Sequence, residues 1–176
     1  MCEVEIRPCA WRELLTVYRI HQAAFDFPYG FSRFVYYKLF APRGVLVALR
    51  DQKIVGYIIA TTAWYWPPHR VGEIVSLATV AHARRTGVAS ALLTTVLQSY
   101  TRAGLREVYL QVAVNNTAAL GLYRKFGFRQ ERRLARYYLD GRDAYLMRCE
   151  LPFTPPPTIP PAAAAPRCRQ LGKPGR

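Results

Sequence analysis

Two periods of apolar spacing run through this chain, and the points where one gives way to the other mark its elements. From Ile74 to Val80 the run is apolar and largely β-branched, as in a strand buried within a sheet. From Val88 the period lengthens: Val88, Leu92, Leu93, Val96 and Leu97 make one stripe along a helix that reaches Ala103. Between strand and helix lies the short basic turn Ala83 to Gly87.

Taken in order, the pattern predicts a strand at Glu3 to Pro8. An amphipathic helix follows at Ala10 to Phe25, with Leu14, Leu15, Tyr18 and Phe25 as core contacts. Pro28 and Gly30 force a loop at Asp26 to Phe31. A second helix runs from Ser32, its expected N-cap, to Phe40 and stops before Pro42. Strands at Val45 to Arg50 and Ile54 to Ala63 flank a turn at Asp51-Gln52-Lys53, and Trp64 to Arg70 reads as a proline-interrupted aromatic loop. After the central strand and helix come a strand at Glu107 to Ala113 and a helix at Asn116 to Phe126, capped by Asn116 and closed by Gly127. An antiparallel pair, Phe128 to Leu139 and Arg142 to Leu151, is expected around the Asp140-Gly141 turn. The order β-α-α-β-β-β-α-β-α-β-β describes a mixed α/β fold in residues 1–151. Residues 152–176 are Pro/Ala-rich, then basic and aperiodic, and are expected to be an extended or disordered tail.

Composition narrows the classes. A 51% hydrophobic chain of 176 residues is long enough for one domain with a core. No apolar run approaches the roughly 18 residues of a membrane span, and the N-terminus lacks a continuous apolar stretch of the secretory kind, so the expected compartment is the cytoplasm. Cys2, Cys9, Cys149 and Cys168 show neither C-x-x-C spacing nor a nearby histidine cluster, so no metal site is expected and the thiols read as free. The net charge is +14, of which +4 lies in the tail and +10 before it. That balance favours polyanionic partners, whether nucleic acid, ribosome or a phosphorylated cofactor, while zinc-finger and RNP motifs are missing. His21, His69 and His82 read as surface residues.

The turn before the long helix carries the sharpest chemistry. Unpaired N–H groups and the dipole at a helix start attract anions; Gly87 permits close approach, Ala89 keeps the next contact small, and Arg84 and Arg85 add charge. A solvated basic turn is the plain alternative, and the P-loop spacing is absent.

The run Arg84-Arg85-Thr86-Gly87-Val88-Ala89 resembles the Q/R-x-x-G-x-G/A signature of the GCN5-related N-acetyltransferases. Leu110 to Phe128 resembles that family's L-x-V-x-x-x-N-x-x-A-x-x-L/F-Y-x-x-x-G-F. Tyr137 to Met147 is similar to the Y-Y-x-x-G-x-D-A-Y/I-x-M ending of protein N-terminal acetyltransferases of the archaeal Ard1 and bacterial RimI type. The resemblance implies a mostly antiparallel sheet flanked by helices, with the fourth and fifth strands splayed apart to hold acetyl-CoA. The backbone of Leu77, Ala78, Thr79 and Val80 would then meet the pantetheine arm. Arg84, Arg85, Thr86, Gly87, Val88 and Ala89 would hold the pyrophosphate, and Asn116 the arm of the cofactor. Tyr123 stands where the family places a tyrosine near the sulfur, as general acid.

An α-amine has a pKa of about 7.7–8.0, so a weak base or a water relay keeps it neutral. Relatives carry Glu or His at the position of Gln111, whose amide can orient a water but cannot take a proton. Glu73, at the head of the central strand, falls where the resemblance places a Tyr or His that handles the amine proton, and is one of few acids in a basic domain; it is the implied base, with Asp26 in reserve. Phe27, Pro28 and Tyr29 on the first loop and Tyr137 and Tyr138 on the last hairpin are implied as two walls of a peptide cleft. The implied activity is direct transfer of acetyl from acetyl-CoA to protein N-termini or nascent peptides, with the basic surface and tail facing the ribosome. Lysine Nε-acetylation, and a basic ribosome- or nucleic-acid-binding module with weak turnover, stand as alternatives.

Overall fold

The computed structural model describes residues 4–26, 28–65 and 69–154. The strands are β1 (Glu5–Pro8), β2 (Val45–Arg50), β3 (Lys53–Tyr65), β4 (His69–Thr79), β5 (Glu107–Ala113), β6 (Arg129–Leu134) and β7 (Ala144–Glu150). The helices are α1 (Leu14–Ala24), α2 (Phe31–Phe40), α3 (Val88–Arg102) and α4 (Thr117–Lys125). The strands form one sheet in the order β1-β2-β3-β4-β5-β7-β6, antiparallel throughout except for the parallel β4–β5 pair.

The apolar run of β2 shows why the sheet is covered on both faces. Leu46 and Ala48 enter a core with Leu92 and Leu97 of α3, Leu120 of α4 and Phe126 just past its end. Val45, Val47 and Leu49 enter a second core with Leu14, Val17, Ile20 and Phe34 of α1 and α2. Alternate side chains of a strand point to opposite faces, so a strand between two helical layers is apolar at every position.

Several element ends differ from the sequence expectation. Glu13 takes two hydrogen bonds from the Arg7 guanidinium, at 2.6 and 2.8 Å, and one from the Ala10 N–H at 2.8 Å. This clasp turns Trp11–Glu13 into a single 3-10 turn, so the α-helix starts at Leu14. Leu14, Val17, Ile20 and His21 then face the core, and Leu15, expected inside, is exposed. Helix α2 is capped at Gly30 rather than Ser32. The β3–β4 hairpin takes in Trp64, Tyr65, His69 and Arg70, which the sequence suggested were loop. β6 ends at Leu134, so Tyr137 and Tyr138 lie on a connection rather than on a strand. The Asp140-Gly141 turn closes inside that connection, with Gly141 at φ 81° and its N–H on the Tyr138 carbonyl at 2.9 Å. Phe27 and residues 155–176, including Cys168, lie outside the described residues, as does Cys2.

Functionally, the important feature is how β4 and β5 part. Their parallel pairing covers only Gly72↔Val108, Glu73↔Tyr109 and Ile74↔Leu110. Beyond Ile74, β4 stays paired to β3 as far as Thr79, and β5 stays paired to β7 as far as Ala113. Val75 is the extra residue of a bulge, because Ile74 pairs with Ala60 and Ser76 with Ile59. A bulge bends its strand and sharpens the twist, and this one sits where β4 leaves β5. The base of the opening is pinned by Tyr100 of α3. Its hydroxyl donates to the Thr61 carbonyl at 2.5 Å and the Glu73 carbonyl at 3.2 Å.

Gly72 lies under the Tyr100 ring, so close that a Cβ there would meet a ring carbon at 2.5 Å. Overpacking of this kind costs about 1–3 kcal/mol. Gly72→Ala is expected to lower the unfolding free energy by that amount in a denaturant titration, and Gly121→Ala, where a Cβ meets nothing within 4 Å, is expected to leave it unchanged or raise it slightly.

Candidate active site

The wedge between the two strands opens into a cavity of about 380 Å3. Ile74, Val75, Ser76 and Leu77 of β4 line one side and Gln111, Val112 and Ala113 of β5 the other. Asn116 lines it past the end of β5, and Tyr29, Tyr137, Tyr138 and Arg142 line it from the two loops, with Tyr123 within electrostatic reach of Tyr138. A second cavity of about 550 Å3 lies between Phe126, Arg129, Arg148 and Phe153, and none of the residues of the strand opening lines it. The smaller cavity is the one where unpaired backbone meets titratable side chains.

From Val75 to Thr79, the β5-facing edge of β4 has no strand partner among the described residues. Such an edge can pair with an extended, amide-bearing ligand as another strand would. The open edge is shorter than the sequence suggested. The N–H of Val80 donates to the Val55 carbonyl at 2.9 Å, and its own carbonyl accepts from Ala83 at 3.0 Å, so Val80 is already committed. Leu77, Ala78 and Thr79 remain on the edge.

Past Val80 the chain makes the basic turn. Arg85 is held at φ 63° and Gly87 at φ 87°, two left-handed residues before the long helix α3. No side chain caps the helix start, and the Gly87 carbonyl accepts the Ala91 N–H at 2.9 Å, so the N–H groups of the first turn of α3 face outward from the helix end. Arg84, Arg85 and Gly87 are exposed, while Val88 is buried and Ala89 half-buried, so the last two offer backbone only. The Thr86 hydroxyl donates to the Ala83 carbonyl at 2.8 Å and accepts from Arg50 at 3.3 Å. Thr86 thus shapes the turn with its side chain and offers a ligand its N–H. N–H groups at a helix start beside two arginines can hold a phosphate anion.

Past the end of β5, Asn116 caps α4, its side-chain oxygen accepting from the Ala119 N–H at 3.1 Å, and it also lines the cavity. Tyr123 is buried among Leu120, Phe126 and Phe128, and burial lifts its pKa far above the ordinary tyrosine value. The phenol is therefore protonated at any working pH.

At the cavity two loops face each other. Tyr29 carries the Arg33 guanidinium 4.7 Å above its ring, and burial raises its pKa. Tyr137 and Tyr138 pack edge to face at 5.2 Å; burial, reinforced by the neighbouring tyrosines, pushes Tyr138 up to about 12. Pro28 is exposed and does not line the cavity, whereas Phe25 and Asp26 do. Asp26, the reserve base, is ion-paired with Arg142 at 3.4 Å across the opening. Glu73 is half-buried beside the cavity rather than on its wall, but its negative charge raises the pKa of both Tyr29 and Tyr137 after burial does. Gln111 lines the cavity opposite the open edge.

His21, expected on the surface, is 1% exposed and lies under the first loop. Its Nε2 accepts from the Tyr29 N–H at 3.0 Å, and its Nδ1 is 2.7 Å from the Tyr57 hydroxyl, which lies 2.8 Å from Ser76 Oγ. Ser76 and Arg142 are likewise cavity residues that sequence reasoning missed. The helical spacing of His21 from Leu14 and Val17 was the available signal. Cys9 and Cys149 are buried free thiols, lifted by burial to about 11 and so unreactive.

The model of the acetyltransferase (GNAT) family matches residues 14–128. An N-alpha-acetyltransferase of Sulfurisphaera tokodaii is 33% identical over 157 residues, covering 85% of this chain and 94% of its own. The crystal structure of Ard1 from Thermoplasma volcanium superposes with a TM-score of 0.77 at 27% identity, covering 84% of this chain and 97% of that one. A crystal structure of the NatC complex bound to Gag peptide and CoA contains a chain that superposes at 0.80 with 25% identity, covering 85% of this chain and 99% of that one. Among the described residues, no helix is long and apolar enough to cross a membrane.

Burial holds the His21 pKa down, at about 4. A base with a depressed native pKa favours unfolding once the unfolded chain begins to bind its proton. The stability it guards is present above about pH 6.5 and lost as pH falls toward 4. Between pH 6.5 and 4.5 the unfolding free energy is expected to drop by about 2–3 kcal/mol on this account. His21→Gln, which cannot titrate, is expected to flatten that interval in denaturant titrations taken at successive pH values.

Proposed function

This chain belongs to the acetyltransferase (GNAT) family, and from that premise we propose that it transfers acetyl from acetyl-CoA to the α-amine of protein or peptide N-termini. The observation that carries this reading is one wedge with two ends. An unpaired β4 edge runs into an anion-binding turn at one end, and a cleft walled by Tyr29, Tyr137 and Tyr138 opens at the other. The N-alpha-acetyltransferase relative, matched over most of both chains, supports the same class of acceptor.

The residues fit the cofactor. The open edge at Leu77, Ala78 and Thr79 can pair with the amides of a pantetheine arm, the N–H groups at the start of α3 can hold a pyrophosphate, and Asn116 borders the cavity. When bound, acetyl-CoA supplies a thioester carbonyl for attack by the amine. Backbone N–H groups of the β4 edge, preorganised by β3 pairing, are placed to hold negative charge developing on an oxygen there. Tyr29, Tyr137 and Tyr138 present rings and hydroxyls to a peptide backbone and its first side chain. Glu73, beside Tyr29 and Tyr137, takes the proton of the incoming ammonium, directly or through water held by Gln111. Tyr123, protonated and within electrostatic reach of Tyr138, serves as the acid.

The high positive charge, most of it within residues 1–151, supports work beside a polyanionic surface such as the ribosome, where nascent N-termini emerge in the cytoplasm. Acetyl-CoA consumption with short peptides that vary the first two residues, beside one peptide with a blocked N-terminus and a free lysine, tests the class. Turnover is expected only with free N-termini; turnover on the blocked peptide alone would make this a lysine acetyltransferase. Glu73→Gln is expected to lower kcat about 100-fold and to change the pH profile, with acetyl-CoA affinity unaltered. An unchanged rate would remove Glu73 from the mechanism.

A further inference from the structure

The hydrogen bonds around His21 have only one consistent direction. A backbone N–H can only donate, so Tyr29 must find a lone pair on His21 Nε2. The proton of the neutral ring then sits on Nδ1 and is donated to the Tyr57 hydroxyl oxygen. Tyr57, having accepted there, donates its own proton to Ser76 Oγ. The Ser76 proton is the one left over, on a residue that lines the cavity at the head of the open β4 edge. His21, Tyr57 and Ser76 are all at least nine-tenths buried, so water does not reorient the chain.

The same imidazole also packs against both ends of the first loop. It stacks on Tyr29 at 5.3 Å with the rings 17° apart, and lies 4.5 Å from Phe25, centroid to centroid. One buried ring therefore fixes the backbone and side chain of the loop that walls the cleft and, through Tyr57, the rotamer of a β4 hydroxyl. The chain cannot conduct a proton to solvent, because its far end terminates on a backbone N–H. Its capacity is orientation.

We propose that His21 and Tyr57 are positioning residues that hold Tyr29 and Ser76 in register across the cleft, and that Ser76 donates its hydroxyl proton to a backbone carbonyl of the N-terminal peptide. This rests on the peptide-acetylating reading of the same cavity. Ser76 and Tyr57 lie on the face of the sheet covered by α1, the side on which Tyr29 stands, so the donor meets the peptide and leaves the β4 backbone for the thioester.

Tyr57→Phe keeps the ring and deletes the coupling hydroxyl. It is expected to raise the KM for a preferred peptide about tenfold while the KM for acetyl-CoA moves less than twofold. Ser76→Ala is expected to do the same, and the double variant to be no worse than either single one, since Tyr57 acts on the peptide only by orienting the Ser76 hydroxyl. His21→Gln, which retains one donor and one acceptor, is expected to recover most of the peptide KM lost in His21→Leu. Independently of turnover, 15N-histidine NMR of the whole protein is expected to show His21 as the Nδ1–H tautomer with a slowly exchanging ring proton, and Tyr57→Phe to accelerate that exchange. An Nε2–H tautomer would overturn the proposal even if peptides are acetylated. Additive effects of Tyr57→Phe and Ser76→Ala, or equal changes in both KM values, would overturn it too. Absence of peptide acetylation in the unaltered protein alongside the Nδ1–H tautomer would count against the acceptor class and so against the Ser76–peptide contact, while leaving the register of Tyr29 and Ser76 supported.

Discussion

The structure turns on the early end of a strand pairing. β4 and β5 share three residue pairs and then part, although each remains bonded to its outer neighbour. An unpaired strand edge inside a sheet is costly, because each buried N–H or carbonyl left without a partner forfeits about 1–3 kcal/mol. The fold tolerates it because the long β3–β4 ladder holds one side, the β5–β7 ladder holds the other, and Tyr100 ties the base of the wedge to α3. The outcome is a rigid opening whose polar lining still has hydrogen-bonding capacity to offer a ligand.

Around that opening, groups that are satisfied and groups that are left open divide the work. Val80, Thr86 and His21 have their hydrogen bonds committed within the protein, and they set shape. The β4 edge, the N–H groups at the start of α3 and the hydroxyls of the tyrosine wall keep capacity that a ligand could use. Charge follows the same division. Arg84 and Arg85 are exposed and form no ion pair among the described residues, whereas Arg142 is tied to Asp26 and Asp140 at the cavity.

Burial sets the chemistry of the titratable groups more than ion pairing does. Tyr123 is held protonated, His21 neutral and the two buried thiols unreactive, each chiefly by desolvation. Glu73 acts in the other direction, since its charge reaches Tyr29 and Tyr137 from beside the cavity. The carboxylate is thereby linked to Tyr29 and Tyr137, and Tyr123 is coupled to the same wall through Tyr138.

Local pattern determined much of this protein. Element order, the extent of β5, the Asn116 cap and the start of α3 follow from periodicity and capping chemistry that act within a few residues. The motif runs from Arg84 to Ala89 and from Leu110 to Phe128 were legible for the same reason: each is a contiguous stretch that spans a strand or turn and the start of a helix. What the sequence did not show depends on contacts between distant segments. The Arg7–Glu13 clasp set the phase of α1 and so decided that Leu15 faces solvent and His21 faces the core. The bulge at Val75 depends on how β3 pairs across the hairpin, and the commitment of Val80 on Val55 and Ala83. His21 meets Tyr57, 36 positions away, and Tyr57 meets Ser76, 19 positions on. A histidine carries no mark of its tautomer or its partners until packing removes water from both nitrogens, and only the folded sheet does that.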